Sequence, residues 1–98
     1  MTIDKKANGS ELTMILTGRL DTITAPQLEA ELRTSLTGVT DLHLDFEGLE
    51  YISSAGLRVL LGAQKTMNKQ GSMVLHHVNA TINEVFEITG FSDILTIE

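Results

Sequence analysis

Apolar and polar residues alternate through Leu42-His43-Leu44-Asp45-Phe46, and a period of two predicts a β-strand with one face buried. Two further runs, Thr2 to Lys6 and Glu11 to Thr17, flank Ala7-Asn8-Gly9-Ser10; Asn-Gly between strand-like runs predicts a hairpin. Gly18 and Asp21 mark the exit from its second strand. The pattern then changes period. Ala25, Leu28, Leu32 and Leu36 recur at helical spacing, with Gly38 as the stop. Thr24-Ala25-Pro26-Gln27 predicts that helix's start: Thr24 as cap, Pro26 in the first turn and Gln27 completing a capping box. After Tyr51-Ile52, a second helix is predicted from about Ser53-Ser54 to Gln70, stopped by Gly71. Its stripe is Ala55, Val59, Ala63 and Met67, widened by Gly56, Leu57, Leu60 and Leu61. Met73-Val74-Leu75 predicts another strand. Thr81-Ile82-Asn83-Glu84 predicts a second capping box, ahead of Ile82, Val85 and Phe86 at helical spacing and Gly90 as C-cap. Ile94 to Ile97 predicts a last short strand.

The order is therefore β-β-α-β-α-β-α-(β). Strands separated by helices pair in parallel through right-handed crossovers, and the leading hairpin adds an antiparallel edge. This describes one α/β domain over 1–98, a mixed, mostly parallel sheet packed with helices. No repeat, low-complexity stretch or internal linker interrupts it.

Composition narrows the function. Aromatics are 4% of the 98 residues and Trp is absent, so platforms for stacking nucleic-acid bases are lacking. A net charge of -6 with no basic cluster disfavours nucleic acid and anionic lipid and suits a partner that offers Arg and Lys. Cysteine is absent, which removes disulfides, thiolate catalysis and cysteine metal sites and fits a reducing compartment. No apolar run approaches the roughly 20 residues of a membrane helix, and none near the N-terminus resembles a signal peptide. The expectation is a cytoplasmic protein with no direct membrane insertion and no cofactor.

Candidate chemistry concentrates between Glu47 and Gly56, read here as a loop leading from a strand into a helix, where sites gather in open α/β sheets. Ser53 and Ser54 fall at a helix N-terminus, where unpaired N–H groups and the positive end of the dipole favour a phosphate. The bland reading is that one serine simply caps the helix. A serine hydrolase fits poorly. G-x-S-x-G is absent, and none of His43, His76 and His77 has a carboxylate at a recognisable spacing. His76-His77 is also a poor metal pair, because neighbouring strand residues point to opposite faces. Asp21, Asp45, Glu47 and Glu50 are the remaining acidic candidates, read as solvated carboxylates.

Taken together, Gly18-Arg19-Leu20-Asp21, the strand Leu42 to Phe46, Tyr51-Ile52-Ser53-Ser54-Ala55-Gly56-Leu57 with Val59-Leu60-Leu61, Gly71 before Met73 to Leu75, and Ile88-Thr89-Gly90-Phe91 with Ile94 resemble the STAS domain of anti-sigma-factor antagonists and sulphate transporters. The resemblance spans nearly the whole chain in one register. It implies a non-enzymatic partner switch. In that scheme the antagonist binds an anti-sigma factor that is also a serine kinase and so frees a sigma factor. Phosphorylation of a serine ends the binding, and a metal-dependent Ser/Thr phosphatase restores it. Matched to the family motif, Ser54 is the acceptor, with Ala55 and Gly56-Leu57 completing the pattern. Ser53 stands where an Asp is usual and becomes an alternative acceptor, while Asp21 matches an acidic residue near the site. The implied docking face is Asp21, Thr22 and Thr24 with Ser53, Ser54, Ala55, Gly56, Leu57 and Arg58. The competing reading is a STAS subunit docked permanently in a lipid-transport ABC complex or in a chemosensory or stress assembly.

Overall fold

The structure is a computed structural model that describes residues 1–98. Strands β1 (Thr2–Asn8) and β2 (Glu11–Leu20) form an antiparallel hairpin, followed by helix α1 (Ala25–Ser35) and strand β3 (Asp41–Ile52). Helix α2 (Ser54–Gln70), strand β4 (Ser72–His76) and helix α3 (Ala80–Thr89) come next, and a short 3-10 turn over Phe91–Asp93 leads into β5 (Thr96–Ile97). The sheet order is β1-β2-β3-β4-β5, with every pair after the first parallel. Each crossover advances one strand in the same direction, and right-handed crossovers of that kind place all the helices on one side. Burial agrees. Leu12, Met14, Leu16, Leu42, Leu44, Phe46, Met73 and Leu75 pack with helix residues Leu28, Leu32, Leu60, Met67, Ile82 and Phe86 into one core. The alternate residues Thr13, Ile15, His43, Asp45, Val74 and His76 lie half-buried on the open face.

Several boundaries differ from the sequence expectation, each for a local reason. Asn8 pairs with Glu11 as the last rung of the hairpin, so the two-residue turn is Gly9-Ser10, with Gly9 at φ 63. Strand β2 continues through Gly18 to Leu20 instead of ending at Gly18. Strand β3 continues to Ile52, so Glu47 to Ile52 is strand rather than loop. Two register shifts against β2 insert extra residues in β3, one between Asp45 and Gly48 and one between Leu49 and Tyr51. Each shift breaks the period of two, leaving Phe46, Leu49 and Ile52 buried at every third position.

Neither predicted capping box forms. Thr24 lies in the right-handed helical region and makes no side-chain cap bond, and Gln27 Nε2 donates to the Met1 carbonyl at 3.2 Å. Helix α3 begins one residue before Thr81 and is capped by Asn79, whose Oδ1 accepts from the Ile82 N–H at 2.8 Å. Gly90, at φ 81, ends α3 as expected. Gly71 ends α2 for a steric reason: a Cβ there would lie 1.8 Å from the Thr40 carbonyl oxygen.

Candidate docking face and modification site

Strands β2 and β3 end side by side, and the chain leaves each of them close to the start of α2. Ser53 is the hinge between β3 and α2. Its backbone is extended (φ -102, ψ 176), its N–H donates to the Leu20 carbonyl at 2.9 Å, and its carbonyl accepts from the Leu57 N–H at 3.0 Å. Its hydroxyl is buried without a hydrogen-bond partner and caps nothing. Ser54, the first residue of α2, is exposed. The first-turn N–H groups have no acceptor within the helix, and no acidic side chain occupies that turn.

Gly56 seats this helix start. A Cβ there would come 2.7 Å from Leu20 Cγ and 2.9 Å from Ile52 Cγ1, so the helix rests on the ends of both strands. Gly56 and Leu57, expected at the docking face, are both buried and act as its floor.

The loop after β2 is fixed by Asp21. Its Oδ1 accepts from the N–H groups of Ile23 and Thr24, both at 3.0 Å. The Asp21 N–H donates to Thr24 Oγ1 at 2.9 Å, and that hydroxyl donates to the Arg19 carbonyl at 2.7 Å. The Thr24 N–H, chief among these donors, stabilises the carboxylate and holds its pKa below the usual 3.8. Arg19 lies 4.4 Å over the Tyr51 ring, with its Nε 3.8 Å from Asp21 Oδ2. The sequence marks Arg19 and Tyr51 only by position, each two residues before an expected site residue, Asp21 and Ser53. Ile23, at the tip of this braced loop, is 87% exposed and carried no sequence signal.

Thr22, Pro26, Ala55 and Arg58 line a shallow cleft of about 160 Å³. It shares Glu29, Arg58 and Val59 with a larger groove of about 370 Å³ between α1 and α2. The structure thus brings Thr22, Ala55 and Arg58 to one surface and leaves the Ser53 hydroxyl beneath it.

The acidic candidates separate. Asp45 and Glu47 come together with His77, their ligand atoms all within 4.8 Å of one another, without Asp21 or Glu50. His77 lies just past β4 in the left-handed region (φ 57), which frees it from strand alternation. Its Nδ1 is 3.0 Å from Asp45 Oδ1. Burial opposes the Asp45 charge, but the Glu47 N–H and the His77 ring outweigh it and lower the Asp45 pKa; Asp45 in turn raises that of His77. His43 Nδ1 and His76 Nε2 lie 2.9 Å apart in a stacked pair, and His43 Nε2 is 3.6 Å from Glu11 Oε2. His43 and His77 therefore do have carboxylate neighbours. The sequence concealed them because each is reached across strands, as in the pairing of Asp45 with His76.

A family model described as "Mlab, STAS domain" matches residues 3–96. The chain belongs to the STAS family. It is 42% identical over 88 residues to BtrV of Bordetella bronchiseptica, a candidate anti-sigma factor antagonist, covering 88% of this chain and 76% of that protein. It is 31% identical over 96 residues to the anti-sigma-B factor antagonist of Bacillus subtilis, covering 97% and 88%. The fold matches phosphorylated SpoIIAA of Bacillus with a TM-score of 0.77 at 22% identity, covering 99% of this chain and 91% of that one. An anti-sigma factor antagonist from Mycobacterium paratuberculosis matches with a TM-score of 0.88 at 18% identity, covering 98% and 83%. The chain is thus a STAS protein of the anti-sigma factor antagonist type, a regulatory and non-enzymatic group whose members interact with anti-sigma factors. No helix is long and apolar enough to cross a membrane.

Proposed function

We propose that this protein is a partner switch controlled at Ser54. Unphosphorylated, it binds an anti-sigma factor that is also a serine kinase, and so frees a sigma factor in the cytoplasm. Phosphorylation of Ser54 ends the binding, and a metal-dependent Ser/Thr phosphatase restores it. The observation that carries this reading is the contrast between the two serines: Ser54 is exposed at the first position of α2, whereas the Ser53 hydroxyl is buried. A kinase reaches the first and not the second. SpoIIAA, whose structure is described in both unphosphorylated and phosphorylated forms, supports the chemistry by analogy.

The docking face in this reading is Asp21, Thr22 and Thr24 with Ser54, Ala55 and Arg58, shaped from below by Ser53, Gly56 and Leu57. Phosphate adds about -1.5 to -2 charges, which the free helix N-terminus tolerates. In the complex the same charge is desolvated, at a cost of roughly 3–5 kcal/mol when unpaired. At about 1.4 kcal/mol per tenfold, affinity falls a few hundredfold or more without refolding. The test is incubation with ATP and each serine kinase encoded beside the protein's gene, followed by peptide mass spectrometry. Phosphate on Ser54, lost in Ser54→Ala and accompanied by release of the kinase, is the expected result. Modification elsewhere, or a phosphorylated protein that still binds, would sink it.

The groove between α1 and α2 favours one second reading, a STAS subunit held permanently in a larger assembly such as a lipid-transport ABC complex. Binding that is indifferent to Ser54→Asp and lost on filling the groove through Gly62→Phe would select it.

A further inference from the structure

We propose that Asp45, Glu47 and His77 form a binding site for a divalent transition-metal ion of the zinc class, independent of the Ser54 switch. Three different backbone devices converge on this point. Asp45 stands on the open face of the sheet, Glu47 lies where β3 departs from regular register, and His77 follows β4 in a left-handed conformation. The set joins one imidazole to two carboxylates, a donor mixture that suits zinc and its neighbours better than magnesium or calcium, which prefer oxygen alone.

The distances fit. Zinc bonds of about 2.0–2.1 Å to nitrogen and oxygen set neighbouring ligand atoms of a tetrahedral site about 3.3 Å apart. His77 Nδ1 and Asp45 Oδ1 are already 3.0 Å apart, and Glu47 brings a carboxylate oxygen within 4.8 Å of both. The carboxylate of the exposed Glu47 has no hydrogen-bond or ion-pair partner, so the one bond that an ion replaces is that between His77 Nδ1 and Asp45 Oδ1, with release of the ring proton. The Glu47 N–H also donates to Asp45 Oδ1 at 2.9 Å and orients that carboxylate, as outer-sphere bonds do around metal ligands. Three protein ligands leave a fourth position for water or for a group brought by another molecule.

Untagged protein, freed of metal with a chelator, is titrated with Zn2+ by calorimetry, with Mg2+ as the control. One Zn2+ is expected to bind per chain and Mg2+ is not. Removing a direct ligand should cost at least as much as removing an outer-sphere partner, so His77→Gln and Asp45→Asn are expected to weaken binding about tenfold or more. His43→Gln, which alters the neighbouring histidine pair, is expected to bind as wild type does. NMR of the wild-type histidines reads the site without any variant: the His77 ring signals shift with Zn2+. Failure of wild type to bind Zn2+ would mean that His77 and Asp45 form only an ion pair, and the proposal falls. It falls equally if His77→Gln binds unchanged, or if the metal moves only His43 and His76.

Discussion

Asp21 shows how one carboxylate that still meets water can hold a surface in shape. Its side chain is 28% exposed, yet its Oδ1 closes a turn by accepting from the backbone N–H groups of Ile23 and Thr24. Those bonds, the Thr24 N–H foremost, favour the charged form and lower its pKa below 3.8. The unfolded chain therefore takes up this proton at higher pH than the folded one. The stabilisation is complete above the unfolded value and fades as pH falls through the folded value. Urea unfolding of wild type and Asp21→Asn should differ most near neutral pH and converge toward pH 2, with wild type the more stable throughout. A stability gap that widened on acidification would contradict the bonding described. Because the same turn carries Thr22 and the exposed Ile23, its loosening in acid should also weaken partner binding.

At the scale of elements, the caps and bulges decide where each segment begins and ends. Asn79 caps α3 through Ile82 and also donates from Nδ2 to the Leu49 carbonyl at 3.1 Å, tying the helix start to β3. Asn79→Ala is expected to lower stability by about 0.5–2 kcal/mol. Thr81→Ala, which removes the cap expected from sequence, should change it by less than about 0.5 kcal/mol. Thermal melts of the two variants separate the assignments. The sequence misled here because Thr81-x-x-Glu84 has the spacing of a capping box, while Asn79 lies two residues before it and is recognised only by its bond to Ile82. The element order, the parallel pairing and the α2 limits were legible, since they follow from unbroken periods of two or 3.6 ended by Gly. The second half of β3 was not, because two bulges erase the alternation that identifies a strand. The same limit hid the acidic and histidine neighbours: Asp45 and His77 are 32 residues apart and meet only once β3 and β4 pair. At the candidate switch, the serine pair was legible but its division of labour was not. That division depends on Ser53 turning its hydroxyl inward while its backbone joins β2 to α2.

Across the whole molecule, folding and recognition occupy different places, the core beneath the helices and the proposed docking face at the start of α2. The core lies between the sheet and its helices, and the start of α2 touches it through Ala55, Gly56 and Leu57, not through Ser54. A charge placed on Ser54 therefore enters water and a helix N-terminus. Ser54→Asp is expected to melt within a degree or two of wild type, or slightly higher, because an acid in the first turn of a helix contributes about 0.3–1 kcal/mol. Ser53→Asp differs in kind. Ser53 is the N-cap of α2, and an Asp there can turn its carboxylate onto the free first-turn N–H groups, so this variant is also expected to melt close to wild type. Binding separates the two. Ser54→Asp should lose its partner while fully folded, whereas Ser53→Asp, whose carboxylate stays beneath the face, should keep it. Measuring melting temperature and partner affinity on the same preparations distinguishes the two. If Ser54→Asp melts several degrees below wild type, the α2 start belongs to the core and a switch there could act only by disrupting the fold.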